Sequence, residues 1–509
     1  MPKANPVTRE NQKFAQELDT AAPLKTYLIS DNPAVLALVE KYLEKIKESR
    51  GSLRSHDSKI REQLHVLICN LIWINQRKNQ WLYQGRGKPS YKRTRYFQVL
   101  TKPIFVDCIL DSLVSLGLIE QKLGYEDLIK SRATRIKARG SFKRDINRLS
   151  SHVIELDTNR EVIYVQVTKK TLFDERTQKK KKKKEKLEYE DNHQTRRMRE
   201  NLQIINQALH ETAIGLWIKD TDYKELNLKL KKGDKSEFSP NEKYLVRIFN
   251  DIGFTLGGRF YHGWWQGIPK EYRPYITINH QAVAELDYKH LHPSLMYAKV
   301  GYTELPIGFD SYTLELEGFT QAHRQAVKDA FQCLINTNSE KSAISAISSK
   351  GLAKLFPFGP KKLVEHLLNK HPAIRHLFFN KQLGKELQRV DSDIAEYCIL
   401  EMLQRHNRVV LPVHDSFIVQ QDMIKVLQQV MIDAYQKIAG GIIPIDEKGF
   451  TLWNPYEALN DNELHLYKIY EKHGSEFLKR FNRDMSTPFD APYVFPEAYE
   501  DEDVYVIEF

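Results

Sequence analysis

Cysteine is scarce. Cys69, Cys108, Cys333 and Cys398 are the four in 509 residues; no two form a C-x-x-C pair, and most fall inside apolar periodic stretches. This argues against a disulfide scaffold and a cysteine zinc framework and points to a reducing compartment. Long apolar runs are missing as well. No stretch approaches the ~18 residues of a membrane span, and the start of the chain has neither a signal-peptide core nor a small-residue cleavage pattern, so a cytoplasmic protein without membrane contact is expected. Acidic charge is in the minority, with 66 Asp and Glu against 77 Lys and Arg and a net charge of +11. That excess suits a phosphate backbone better than an acidic metabolite, and nucleic acid is the expected partner. What is abundant is core: 41% of the residues are apolar, enough for roughly two to four domains.

Residues 1–58 read as a polar helical segment. Asn32-Pro33 is a helix start, and Leu36, Val39, Tyr42, Leu43 and Ile46 recur on one face. Over residues 59–145 the pattern changes. An apolar helix (Leu64, Leu67, Ile68, Leu71, Ile72) precedes a basic aromatic loop, and a second helix carries Phe105, Ile109, Leu113 and Leu116 and stops at Gly117, a C-cap. A strand Leu118–Lys122, a turn at Leu123-Gly124 and a strand Ala133–Ala138 follow, studded with Arg132, Arg135, Lys137 and Arg139. This helix, strand, wing, strand order resembles a winged-helix domain, a module that serves either DNA binding or protein docking. Lys88, Lys92, Arg93 and Arg95, interleaved with Tyr91, Tyr96 and Phe97, suit DNA, because cations pair with phosphates while rings stack on bases. The candidate nucleic-acid contacts here are Lys92, Arg93, Arg95, Arg135 and Lys137; the plainer reading is a solvated basic face.

Residues 146–240 form a basic linker and helical region. Its lysine run, Lys179–Lys184, is too densely charged to pack, so a flexible linker or a long exposed helix is expected, serving as a spacer or as a tether along nucleic acid. Aromatic residues and glycine become more frequent in residues 241–455. Gly257-Gly258-Arg259 before Phe260-Tyr261 suggests a tight turn presenting Arg259 to a primer-template, or else a hairpin whose Trp264 and Trp265 belong to the core. Residues 456–509 read as a C-terminal helical region. Its acidic tail, Glu497–Phe509, could dock on a protein partner or lie in the chain's own basic groove.

The chemistry concentrates in two segments. In VVLPVHDSFIV, Val409–Val419, the polar triplet His414-Asp415-Ser416 interrupts two runs that fit a buried pleat. Upstream, AELDYKHLHPSL ends a strand at Asp287. Two such aspartates on adjacent strands can hold two Mg2+ ions ~4 Å apart, with Mn2+ able to substitute. Between them, Arg324 and Lys328 stand one turn apart on a helix, so that both charges reach one polyphosphate. Each has a plainer reading: a buried Asp caps turns, and Arg-x-x-x-Lys is common on exposed helices.

The same residues carry a resemblance. Asp287-Tyr288-Lys289-His290-Leu291-His292-Pro293-Ser294 is similar to motif A of replicative polymerases, with its Leu-x-Pro-Ser portion nearer to family B. Val413-His414-Asp415-Ser416-Phe417 is similar to motif C of family A DNA polymerases and of phage-type single-subunit RNA polymerases. Arg324-x-x-x-Lys328 resembles family A motif B, although Asn336-Thr337 stands where that family has Tyr-Gly. The resemblance implies metal binding by Asp287, Asp415 and the Tyr288 carbonyl, and nucleotide contacts by Arg324, Lys328, His292 and His414. His292 falls where DNA polymerases keep a bulky residue against the ribose 2'-OH, which implies deoxynucleotides. A proofreading domain is not expected.

The expected fold is α+β: a polymerase palm with an antiparallel sheet and compact fingers, behind a mostly α winged helix. The expected function is a nucleotidyltransferase of mobile-element or phage type, extending a 3'-OH with nucleoside triphosphates in DNA-templated DNA synthesis. The competing classes are an RNA polymerase or primase, a template-independent terminal transferase, and a non-catalytic DNA-binding replication initiator or regulator.

Overall fold

A computed structural model describes residues 21–448 apart from 51–56, 76–79, 93, 97–98, 127–130, 150–152, 158–159, 175–178, 233–237, 239–241 and 307. The candidate DNA contact Arg93, the C-terminal region 456–509 and its acidic tail lie outside the described residues. The chain is a mixed α+β protein. It divides into two compact units, Met1–Val162 with Glu190–Asn192, and Ile163–Tyr189 with His193–Phe509. The sequence suggests boundaries after 145 and 240; the division falls at 162 because the strand that begins at Ile163 pairs with Arg247–Phe249 of the later sheet.

The first unit contains β1 (Ala22–Pro23), α1 (Pro33–Arg50), α2 (Asp57–Asn75) and β2 (Leu82–Gln84). A π-helical stretch, Lys102–Leu110, runs on into α3 (Asp111–Ser115), followed by β3 (Ile119–Lys122), β4 (Thr134–Ala138) and α4 (Gly140–Ile146). The strands form one sheet in the order β1-β2-β4-β3. α1 buries Val35, Leu38, Val39, Tyr42, Leu43 and Ile46. Leu36, expected on that stripe, is 42% exposed, one position away from Val35, which takes its place. Gly117 closes α3 at φ +67, and the Leu118 N–H donates back to the Leu113 carbonyl at 2.9 Å. Such a C-cap needs a left-handed residue, which explains the glycine.

The second unit is built on two sheets. One has the order β6-β5-β8-β9, from β5 (Ile163–Asp174), β6 (Lys179–Lys186), β8 (Val246–Phe249) and β9 (Gly257–Tyr261). The lysine run, expected as linker or helix, is therefore strand β6, paired antiparallel with β5. Gly257-Gly258-Arg259 is also strand rather than turn. It carries a bulge, since Ile248 faces Arg259 and Phe249 faces Gly257. Gly258 has φ +86, and a Cβ there would lie 2.6 Å from the Phe249 ring and 2.9 Å from Ser392 Oγ, so no larger residue fits.

The other sheet is antiparallel throughout and has the order β7-β10-β11-β13-β12, with β14 also on β11. Its strands are β7 (Ile214–Leu216), β10 (Ile276–Ile278), β11 (Gln281–Tyr288), β12 (Leu411–Val413), β13 (Ser416–Gln420) and β14 (Ile445–Lys448). The longer helices are α5 (His193–Glu211), α6 (Asp220–Lys232), α7 (Leu291–Lys299), α8 (Gln321–Ile335), α9 (Glu340–Ser349), α10 (Pro360–Lys370), α11 (Leu383–His406) and α12 (Ile424–Ala439). Alternation along β11 decides its two faces. Leu286 and Tyr288 are buried, and the Tyr288 hydroxyl donates to the Met431 carbonyl of α12 at 2.7 Å. Each such side chain contributes about 1.5–3 kcal/mol by leaving water. Glu285 and Asp287 fall on the opposite face.

Candidate active site

The β12–β13 hairpin is closed by His414 and Asp415, with Val413 paired to Ser416. His414 takes φ +60, the left-handed conformation that a two-residue hairpin turn requires at its first position. β13 lies beside β11 with Ser416 opposite Asp287, so Asp415, one residue earlier, stands next to the Asp287 end of β11. On the other side of β11, β14 sets Asp446 opposite Asp287 and Lys448 opposite Glu285. The aspartates recognised in the sequence are thus brought together by strand register.

Their neighbourhood is unevenly satisfied. Glu285 is 1% exposed and accepts from Ser416 Oγ at 2.7 Å, Lys448 Nζ at 3.1 Å and Arg273 at 3.3 Å. Burial pushes its carboxyl up, yet these partners outweigh burial and hold it below its ordinary range. Asp287 receives Lys448 Nζ on Oδ2 at 2.6 Å, while its buried Oδ1 has no hydrogen-bond partner. Burial and then the Asp415 charge push Asp287 up to about 6, against the pull of Lys448 and Lys328. Two crowded carboxylates with a buried, unpartnered oxygen fit a hard divalent cation. Among the described residues no three His, Cys, Asp or Glu side chains gather to hold a metal by themselves. A cation bound here would have Asp287 and Asp415 from the protein, and Mg2+ commonly takes its other ligands from substrate phosphates and water. The Tyr288 side chain points into the core, which leaves only its backbone carbonyl for such a shell.

Facing this corner is α8, started by Thr320 in a capping box with His323. Ala326, Val327, Ala330, Phe331 and Leu334 bury one side of it. Arg324 and Lys328 lie 5.4 and 5.9 Å from the Tyr312 ring. Arg324 Nε donates to Asp310 Oδ2 at 2.7 Å, and Asp310 Oδ1 accepts from the Tyr312 backbone N–H at 2.8 Å. His290 Nδ1 is 3.9 Å from Asp310. Lys328 is exposed, makes no ion pair among the described residues, and bears electrostatically on Asp287, His290 and His292. Asp310 and Tyr312 sit in a loop between helices, where the sequence offered no motif.

Behind the aspartates lies a second polar cluster. Arg259 Nε donates to Asp391 Oδ2 at 2.6 Å, and its NH2 group lies 3.2 Å from His292 Nε2. Arg259 is 15% exposed and so is no surface turn residue. Burial pushes Asp391 up to about 6 against the pull of Arg259. Burial, then Arg259, brings His292 down to about 4, so its imidazole is neutral. His414, at the hairpin tip, has its ring 6.1 Å from that of Tyr261. Arg247, fully buried, ties the β8–β9 bulge to α11 through Glu396 at 2.8 Å, Ser392 at 2.8 Å and the Gly258 carbonyl at 2.8 Å.

In the first unit the candidate DNA contacts have different surroundings. Lys92 is exposed. Arg95 pairs with Glu161 at 3.1 Å and Asp191 at 3.3 Å. Arg135 is 6% exposed and donates to the Ala133 carbonyl. Lys137 Nζ lies 5.5 Å from the Trp81 ring. No protein-family model matches the chain, and no curated protein matches it.

Proposed function

We propose that the second unit is a polymerase palm with compact fingers, catalysing nucleotidyl transfer from a nucleoside triphosphate to a primer 3'-OH in DNA-templated DNA synthesis. The observation that carries this reading is the strand register: Asp287 lies opposite Ser416, beside Asp415, with one buried carboxylate oxygen left unpartnered. The similarity of these segments to polymerase motifs A and C adds to it.

In this reading Lys328 and the outer edge of Arg324 bind the triphosphate, with Asp310 fixing the guanidinium at its Nε. Asp287 and Asp415 would hold Mg2+, which would supply positive charge to neutralise the entering hydroxyl and the leaving pyrophosphate. The 3' oxygen attacks the α-phosphorus in line, a new P–O bond forms, and the bond to the bridging oxygen breaks. Neutral His292, backed by Arg259 and Asp391, stands as a firm wall toward the sugar and favours deoxynucleotides.

For the first unit we read a winged-helix DNA-binding module. Its support is the antiparallel strand order β2-β4-β3 beside α2 and the α3 stretch. Within that stretch Lys102 is paired with Asp107 at 2.8 Å, whereas Lys92 is exposed.

A labelled primer, with and without template, incubated with deoxy- or ribonucleotides and Mg2+ or Mn2+, tests the reading in one gel. Template-directed extension with deoxynucleotides is expected. Extension by ribonucleotides alone marks a primase or RNA polymerase, extension without template marks a terminal transferase, and DNA binding with no extension in any lane leaves a non-catalytic initiator.

A further inference from the structure

We infer that the β5–β6 hairpin is a nucleic-acid-gripping arm, a two-stranded ribbon that lies along the phosphate backbone of a duplex. This names a second surface, away from the nucleotide, and its link to the duplex being extended rests on the proposed polymerase function.

The pairing pattern comes first. β8 pairs only with Ile163–Val165 of β5, whereas β5 pairs with β6 all the way from Gln166 to Asp174. Beyond Val165 the sheet is two strands wide for nine residues, roughly 30 Å at ~3.3 Å per residue. β6 is the edge of the whole sheet, and the opposite edge, β9, carries Arg259 at the candidate active site.

The charge pattern comes second. The unbroken lysines 179–184 and Lys186 lie on β6, with Lys169 and Lys170 on β5, against Asp174 and Glu185. Lys169 pairs with Glu185 at 2.9 Å. Lysine is a poor strand former, an isolated two-stranded hairpin is marginal in water, and the register pairs Lys183 with Lys170, a like-charged combination that disfavours a sheet. One or two edge lysines suffice to keep a strand from pairing with other chains. An unbroken run goes past that need and destabilises the ribbon. A polyanion removes the penalty. Duplex DNA offers one negative charge per ~1.7 Å, and a two-stranded ribbon is of a size to enter its major groove.

The test uses the full chain and a fluorescent primer-template duplex, with Kd measured by anisotropy across a NaCl series. Two variants are compared with the wild type: one with glutamine at each of positions 179–184, and one with arginine at each. The glutamine variant should bind at least ~10-fold more weakly near 0.1 M salt, and its log Kd against log[NaCl] slope should fall by about 3, at ~0.9 per phosphate contact. The arginine variant should keep both. Circular dichroism and thermal melting show whether each variant is folded; if the glutamine variant is not, replacing 170–183 by a short turn carries the same prediction. Wild-type affinity and slope in the folded glutamine or shortened variant overturns the proposal. So does lysine-dependent binding to phosphatidylserine vesicles with no lysine dependence on DNA, which would make the partner a membrane. Because the readout is binding, a wild type that binds but never incorporates nucleotides would sink the polymerase function and leave the arm standing.

Discussion

Glu285 and Asp287 stand on one face of β11, a single residue between them, and meet opposite fates. At Glu285 a hydroxyl, a lysine and an arginine satisfy the carboxylate and hold it ionised. At Asp287 the same lysine reaches one oxygen, the other has no partner, and a second aspartate presses on it. One strand thus carries a carboxylate that the fold uses and a carboxylate that the fold leaves under-neutralised. The difference teaches where binding lies: a buried charge whose partners are incomplete marks the place where a ligand completes them.

Asparagine substitutions sharpen the contrast most. Asp287→Asn or Asp415→Asn should lower primer extension by at least about 10^3-fold, or ~4 kcal/mol of transition-state stabilisation, measured as single-turnover incorporation. The Asp287→Asn protein should melt no lower than the wild type and gain up to about 1 kcal/mol, because the substitution removes a charge that the folded state disfavours. Glu285→Ala should behave in the opposite way. Removing it strands Arg273, leaves Lys448 to Asp287 alone and costs about 3 kcal/mol in urea unfolding, while extension per folded molecule stays within about tenfold. A melting loss equal to that of Glu285→Ala in Asp287→Asn would erase the distinction.

A buried group of the scaffold sets the next effect. His371 is fully buried, lies 3.1 Å from the Tyr297 hydroxyl and 2.9 Å from the Ser311 carbonyl, and is brought down to about 4, chiefly by burial, with Lys370 and His290 adding to it. Between pH ~6.5 and ~4 the unfolded chain binds a proton at this residue that the folded chain refuses. Stability is therefore full above the upper value and falls as pH drops through the window, by about 3 kcal/mol. Urea midpoints across that range, wild type against His371→Gln, measure the difference, and equal slopes would contradict it.

The smallest effect belongs to Asp310. With Asp310→Asn the Arg324 guanidinium loses its charged anchor, and KM for the nucleotide should rise about tenfold, ~1.4 kcal/mol, with kcat changed less. Asp310→Glu should recover part of it. A fall in kcat at constant KM would assign Asp310 another task.

The sequence made the local parts of this site legible. Asp287 and Asp415 each end or interrupt a strand-like apolar run, and the helix bearing Arg324 and Lys328 has a clear apolar side; these signals live within ten or so residues. Partners distant in the chain were hidden. Asp391 could not be linked to Arg259, nor Ser416 to Glu285, because only sheet register and the packing of α11 bring them together. The lysine run failed for the opposite reason. Its local signal said flexible linker or exposed helix, and antiparallel pairing with the preceding strand β5 prevailed.

Calorimetric titration of Mn2+ into the protein, with a non-hydrolysable deoxynucleoside triphosphate present, tests the shared-cation site most directly. The wild type should show saturable binding that both Asp287→Asn and Asp415→Asn abolish. Undiminished Mn2+ binding by either folded variant would contradict the account.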